Sequence, residues 1–163
     1  MFELTTTTMK RTNFLIVLAL LGVSASFWQC GSDSAAAPNP RDEQLKKLSK
    51  TWKATAVTFN STPVDGYSPT TGNFTITMSG TPGQATFDYS TTGRPSGIKT
   101  PWPASGKFTF GTDFSTVVTR DDAIQVTYSV SATQLQMTFT YAGAGFTGRT
   151  SNVEGSWSFT FGL

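Results

Sequence analysis

The sequence predicts an all-β domain, an antiparallel meander of about eight strands closed into a small barrel and led by a short helix. Three observations carry this expectation. From Thr51 onward, apolar and polar residues alternate with a period of two, the pattern of strands with one face in a core and the other in water. The chain is rich in Thr and aromatic residues and only 13% charged, which suits a pleated, half-buried surface. Turn residues interrupt the alternation at short intervals, which favours hairpins between neighbours over long crossovers. A β-sandwich satisfies the same alternation and stays open as the alternative.

The first element, residues 1–29, holds Lys10-Arg11 and then an apolar run from Phe14 to Leu21, interrupted beyond it by Ser24 and Ser26. A membrane span needs about 20 apolar residues, so a basic pair ahead of this shorter run reads as a signal peptide. Met1–Thr8 contains Glu3 and no basic residue, and Met9 is a second candidate start. The chain's single cysteine, Cys30, directly follows Phe27-Trp28-Gln29. This layout resembles the end of a bacterial lipoprotein signal. The resemblance implies cleavage before Cys30 and lipid attachment to its thiol, with the protein held at a membrane of the cell envelope, the outer one expected, and facing away from the cytoplasm. More than one acyl chain makes such an anchor effectively permanent. A soluble secreted form cut near Ser24–Ser26 is the alternative. Residues 30–39 are small and polar and read as a flexible tether.

Residues 40–163 form the expected barrel domain with its leading helix. Asn39 suits the helix cap, Pro40 the first helical position, and Asp42 and Glu43 the positive end of the helix dipole. Leu45 and Leu48 share one face, with Trp52 just beyond, and are expected to pack on one end of the barrel. Trp52–Phe59 is the first strand. The alternating sets Phe74/Ile76/Met78, Ala85/Phe87/Tyr89 and Phe108/Phe110 follow. Phe114–Thr119, Ile124/Val126/Tyr128/Val130, Leu135/Met137/Phe139/Tyr141 and Val153/Gly155/Trp157/Phe159/Phe161 complete the series. Between them lie turn signals at Ser79–Gly83, Arg120-Asp121-Asp122 and Ala142–Gly145.

A short helix before a strand that opens with Trp52, followed by such a meander, resembles the small lipocalin-like lipoproteins of Bacteroidetes. The resemblance spans Leu45 to Leu163. It implies a closed barrel able to hold a small apolar ligand. Lipocalins carry a glycine two residues before the first-strand tryptophan. Here Lys50 stands at that position, and Gly155-Ser156-Trp157 repeats the spacing in the last strand.

Composition narrows the chemistry. The chain has no histidine, the commonest general base and metal ligand. No paired carboxylates of glycosidase type stand out. An enzyme is not expected, and neither is a cofactor. The formal net charge is +2, too small to argue for nucleic acid. Asp113, Asp121 and Asp122 match no EF-hand spacing and read as turn residues. Trp52, Phe87, Tyr89, Tyr128, Tyr141 and Trp157 are candidates to line a ligand cavity. The stretch Thr91–Gly106, with Arg94 and Trp102 between Pro101 and Pro103, is the candidate binding loop, with Gly143–Arg149 as a neighbouring tip. A barrel of about eight strands either is just filled by its side chains or holds one small ligand. Both readings stand at this stage: a carrier of a small apolar ligand, or a filled-core envelope protein acting through its surface loops on a protein or a glycan.

Overall fold

The computed structural model describes residues 37–70, 72–96, 100–146 and 153–163. The expected signal segment 1–29, Cys30, most of the tether, and Gly97 and Arg149 lie outside the described residues. Pro38–Leu163 forms one compact unit. Among the described residues no helix is long and apolar enough to cross a membrane.

Helix α1 spans Pro40–Leu48. It starts as its residues dictate: the Asn39 side chain accepts a hydrogen bond from the Arg41 amide at 3.0 Å, and Pro40 occupies the first turn, where no N–H is needed. Nine strands follow: β1 Thr51–Phe59, β2 Thr62–Pro63, β3 Thr75–Ser79, β4 Phe87–Thr92, β5 Ser105–Phe110, β6 Val117–Arg120, β7 Gln125–Val130, β8 Gln134–Tyr141 and β9 Gly155–Gly162. β1 pairs with β3, and every later strand pairs antiparallel with the next. β9 returns to β1, from Lys53↔Gly162 to Phe59↔Trp157. That last ladder closes the sheet, so the fold is an eight-stranded barrel and not the sandwich. β2 is a short arm folded back on the end of β1.

The alternation reads out directly as burial. Phe87, Tyr89 and Thr91 of β4 face inward, as do Leu135, Met137, Phe139 and Tyr141 of β8, and Trp157, Phe159 and Phe161 of β9. Strand β1 breaks the rule. Its ladder with β9 slips between Ala54 and Ala56. Thr55 becomes the extra residue of a bulge, and its hydroxyl donates to the Thr160 carbonyl at 3.1 Å. A bulge changes which residues face the core. Trp52 and Ala54 point in before it, and Val57 after it.

Two expectations need correction. Ala85 is exposed and precedes β4, which begins at Phe87. Phe114–Thr116 is a turn and not strand, because the Asp113 carboxylate accepts from the Ser115 amide and from both following hydroxyls. β6 therefore starts at Val117.

The helix closes one end of the barrel. Leu45 and Leu48 are buried, and the Trp52 indole donates to the Leu48 carbonyl at 2.9 Å. Asp42 accepts from the Gly83 amide, the Gln44 amide donates to the Ser115 carbonyl, and Lys50 donates to the Ala132 carbonyl. The helix and Lys50, just before β1, are thus tied to three separate turns. At the other end lie the turn 121–124 and the described parts of the connections β1–β3, β4–β5 and β8–β9. Leu48→Ala removes a fully buried side chain from the helix seat. It is expected to lower unfolding free energy by about 2–5 kcal/mol, read by urea denaturation, with an unchanged m value.

Candidate functional site

The loop-capped end contains the one ionised group buried inside the barrel among the described residues, Arg120. Its position follows from the strand period. Val118 faces inward on β6, so the residue two along must do so as well. The Arg120 side chain is 1% exposed, and its partner Asp122, on the turn, is 32% exposed. Arg120 Nη1 donates to the Pro101 carbonyl at 2.9 Å, and Nη2 to Asp122. The guanidinium sits 4.7 Å from the centre of the Trp102 ring and 5.8 Å from that of Phe139. Both are cation–π contacts in a desolvated setting, where they are strongest.

Trp102 belongs to a loop, yet it packs as a core residue. Its ring meets Tyr89 at 5.6 Å, Phe139 at 5.4 Å and Phe159 at 5.9 Å, each edge to face. The loop is held around it. The Thr91 hydroxyl donates to the Pro103 carbonyl at 2.6 Å, the Thr91 amide donates to the Ala104 carbonyl, and the Trp102 amide donates to the Thr100 hydroxyl. Thr100 in turn bridges to Phe146 through two backbone bonds. Tyr67, from the 64–74 loop, fills the neighbouring space against Phe74, Phe159 and Trp157. Room for Tyr89 comes from its cross-strand partner Gly106. A Cβ there would lie 2.5 Å from the tyrosine hydroxyl.

Four polar atoms of this cluster are buried without a well-formed hydrogen bond: Tyr67 Oη, which faces Thr100, Tyr89 Oη, which faces Arg120, Trp102 Nε1 and Arg120 Nε. Leaving such a group unpaired costs about 1–3 kcal/mol each. Burial pushes the Tyr89 hydroxyl up to about 12, against the pull of the neighbouring Arg120 charge. It pushes Tyr67 to about 12 as well, opposed by the nearby Thr100 hydroxyl. The far end differs. Tyr128 Oη donates to the Phe114 carbonyl. Burial also raises this tyrosine to about 12, against the Gln44 amide.

The seven aromatic residues singled out from the sequence are all buried, and they divide between the two ends. Trp52, Phe87 and Tyr128 lie toward the helix. Tyr89, Trp102, Tyr141 and Trp157 lie toward the loops, where Tyr141 contacts Phe146 and the Trp157 indole donates to the Val153 carbonyl. The three aspartates considered for calcium serve two turns. Asp113 caps its own, Asp121 accepts from the Lys107 amide, and Asp122 pairs with Arg120. Among the described residues no three His, Cys, Asp or Glu side chains gather as a metal-binding group. Arg120 and Tyr67 were missed. Arg120 reads as the opening of a turn with Asp121-Asp122, although its spacing from Val118 was the signal that places it inside. Tyr67 sits in an irregular segment with no periodicity to mark it.

Comparison with known protein families, with curated proteins and with solved structures returned no match.

Removing the buried cation leaves the Pro101 carbonyl and Asp122 without their donor. Arg120→Ala is expected to lower unfolding free energy by about 3–5 kcal/mol, measured by chemical denaturation. A second outcome concerns pH. A tyrosine whose folded pKa is raised stabilises the fold fully below its unfolded pKa, and the contribution is lost as pH climbs through the folded value. For Tyr67, Tyr89 and Tyr128 that window runs from 10.0 to about 12. The melting temperature should fall across it, and Tyr89→Phe should flatten part of the fall.

Proposed function

We propose that this chain is a membrane-anchored lipoprotein of the cell envelope, lipidated at Cys30, whose barrel works from its outer face and loops on an uncharged partner. The observation that carries the second half is the filled interior. Side chains from the strands leave space at the loop end, and Trp102 and Tyr67 occupy it. With the inside taken up, the outside is where recognition has room.

One outer region stands apart. Thr58, Ser158, Thr138 and Thr127 pair directly across β1, β9, β8 and β7, which sets four hydroxyls in a row about 4.8 Å apart. They floor a groove of about 700 Å³ whose lining includes no charged residue. Two turns bound it, and Ser61 and Ala123 in them adopt φ of 67° and 66°. Left-handed backbone at these positions is what tight hairpin turns require. Hydroxyls that both donate and accept suit a neutral polar surface or a glycan.

The anchor reading rests on the basic pair, the short apolar run and the single cysteine after it. Cells fed an alkyne fatty acid should label the wild-type chain and not Cys30→Ser, and the variant should leave the membrane fraction. Equal labelling of both would end the anchor reading. For the surface reading, a photo-crosslinking residue replaces Thr138 in the groove or Thr109 on β5. Adducts are expected from position 138 alone. Adducts from neither position, or from both alike, would remove the groove as the working surface.

A further inference from the structure

We propose that the helix-capped end of the barrel lies against an anionic phospholipid surface, with Lys46, Lys47 and Lys53 as the residues that meet the lipid phosphates. The proposal rests on the anchor reading at Cys30 and adds to it which end of the domain faces the membrane.

The first support is where the chain enters the barrel domain. The compact unit begins at Pro38, and α1 follows at once as the lid of one barrel end. Eight peptide links join Cys30 to Pro38, a span of at most about 29 Å when fully extended. Strand β8 has eight residues, which at the usual rise and tilt makes the barrel about 20 Å tall. A lipid on Cys30 therefore lets the helix end meet the bilayer at any extension of the tether. Setting the loop end there instead would use most of the tether's span along the barrel wall.

The second support is charge. The helix carries Arg41, Lys46 and Lys47, and Lys50 follows it. Lys53 sits beside them on the outer face of β1, opposite Gly162 at the end of β9. Against these five bases stand three acids, Asp42 and Glu43 on the helix and Asp113 in a turn below. The three turns that meet the helix hold no other charge. The tether adds one acid, Asp33, and the bases remain in excess. The loop end is balanced in sequence, with four bases and four acids, and one of those bases, Arg120, is buried. A basic cluster beside a membrane anchor is drawn to anionic headgroups, and less so as salt rises.

The third support is which charges are free to reach outward. Two of the acids are tied back. Asp42 accepts from the Gly83 amide, and Asp113 from the Ser115 amide and the Ser115 and Thr116 hydroxyls. Two of the bases are held as well, Arg41 over the Phe114 ring and Lys50 on the Ala132 carbonyl. Lys46, Lys47 and Lys53 are exposed. They join neither of the ion pairs among the described residues, Lys107–Asp88 and Arg120–Asp122. A flexible four-carbon stem can stay on the protein while its ammonium reaches a phosphate. In this orientation the groove bounded by Ser61 and Ala123 opens toward the far end, away from the lipid.

The test uses the mature protein purified from its cells, with intact mass reporting the lipid on Cys30. The protein is placed in vesicles of phosphatidylcholine alone, or of equal parts phosphatidylcholine and phosphatidylglycerol. Its amines are acetylated and mapped by mass spectrometry. Lys46, Lys47 and Lys53 should react about threefold or more slowly on the anionic vesicles, while Lys107 on the barrel wall should react alike on both. High salt should remove the difference. The double variant Lys46→Gln/Lys47→Gln keeps good helix formers and should lose most of the protection at Lys53. A lipidated protein whose helix-end lysines react alike on both vesicles would overturn this proposal and leave the anchor reading standing. Equal protection of Lys107 would overturn it too, because the barrel would then lie on its side. A mature chain with no lipid on Cys30 would overturn both.

Discussion

Closure of β1 onto β9 is the constraint on which the rest of the molecule depends. It removes the exposed edges that a sheet of this length would otherwise carry. It also fixes the interior width, since a barrel of eight strands is just wide enough for its own side chains. β1 reaches both neighbours through the bulge at Thr55, which lets Lys53 face β3 on one side while the strand runs on along β9. The bulge turns Val57 into the core and Ala56 out of it. Closure and core composition are therefore one event.

A closed tube has two open ends, and each must be sealed by something other than a strand. The ends are sealed in different ways. At one, a nine-residue helix lays Leu45 and Leu48 over the opening, and its polar groups find partners in the turns below. At the other, loops send in Trp102 and Tyr67, with Arg120 reaching up from β6 to hold the Pro101 carbonyl. The helix brings its backbone hydrogen bonds with it, so burying it leaves little unpaired. A loop aromatic brings a polar atom and no guarantee of an acceptor.

The barrel and its helix were legible because period-two alternation, a capped helix start and short turns each report on local geometry. β3, β4, β7, β8 and β9 appear where their apolar residues alternate. The failures share a cause. Phe114 looked like a strand residue, and the hydrogen bonds that make its turn come from Asp113, a residue on the other side of the apparent boundary. Arg120 looked like a turn residue because acids follow it. Its burial depends on a carbonyl nineteen residues away and on two rings from other parts of the chain. The interior aromatic residues carried by strands were identifiable, unlike Tyr67 in its loop, yet periodicity states only which side of the sheet they take. Whether they leave a cavity is decided by the loops, whose conformation has no period to read.

The two sealed ends also differ in polar satisfaction, and the difference localises the chemistry. At the helix end Tyr128 donates to Phe114, Trp52 to Leu48 and Gln44 to Ser115. Ser49 is the exception there. At the loop end a guanidinium, an indole and two phenols keep atoms without a well-formed hydrogen bond within one aromatic cluster. A core of this width gains nothing from a buried cation for stability alone, since well-packed apolar residues of similar size usually serve as well or better. Local inconsistencies of this kind are expected where a fold trades stability for something else. Two of the four atoms, on Tyr67 and Trp102, come from loops, the class of element that opens at least cost. Arg120 therefore marks, among the described residues, the end of the barrel whose polar groups are least well matched, away from the strand closure that holds the fold together.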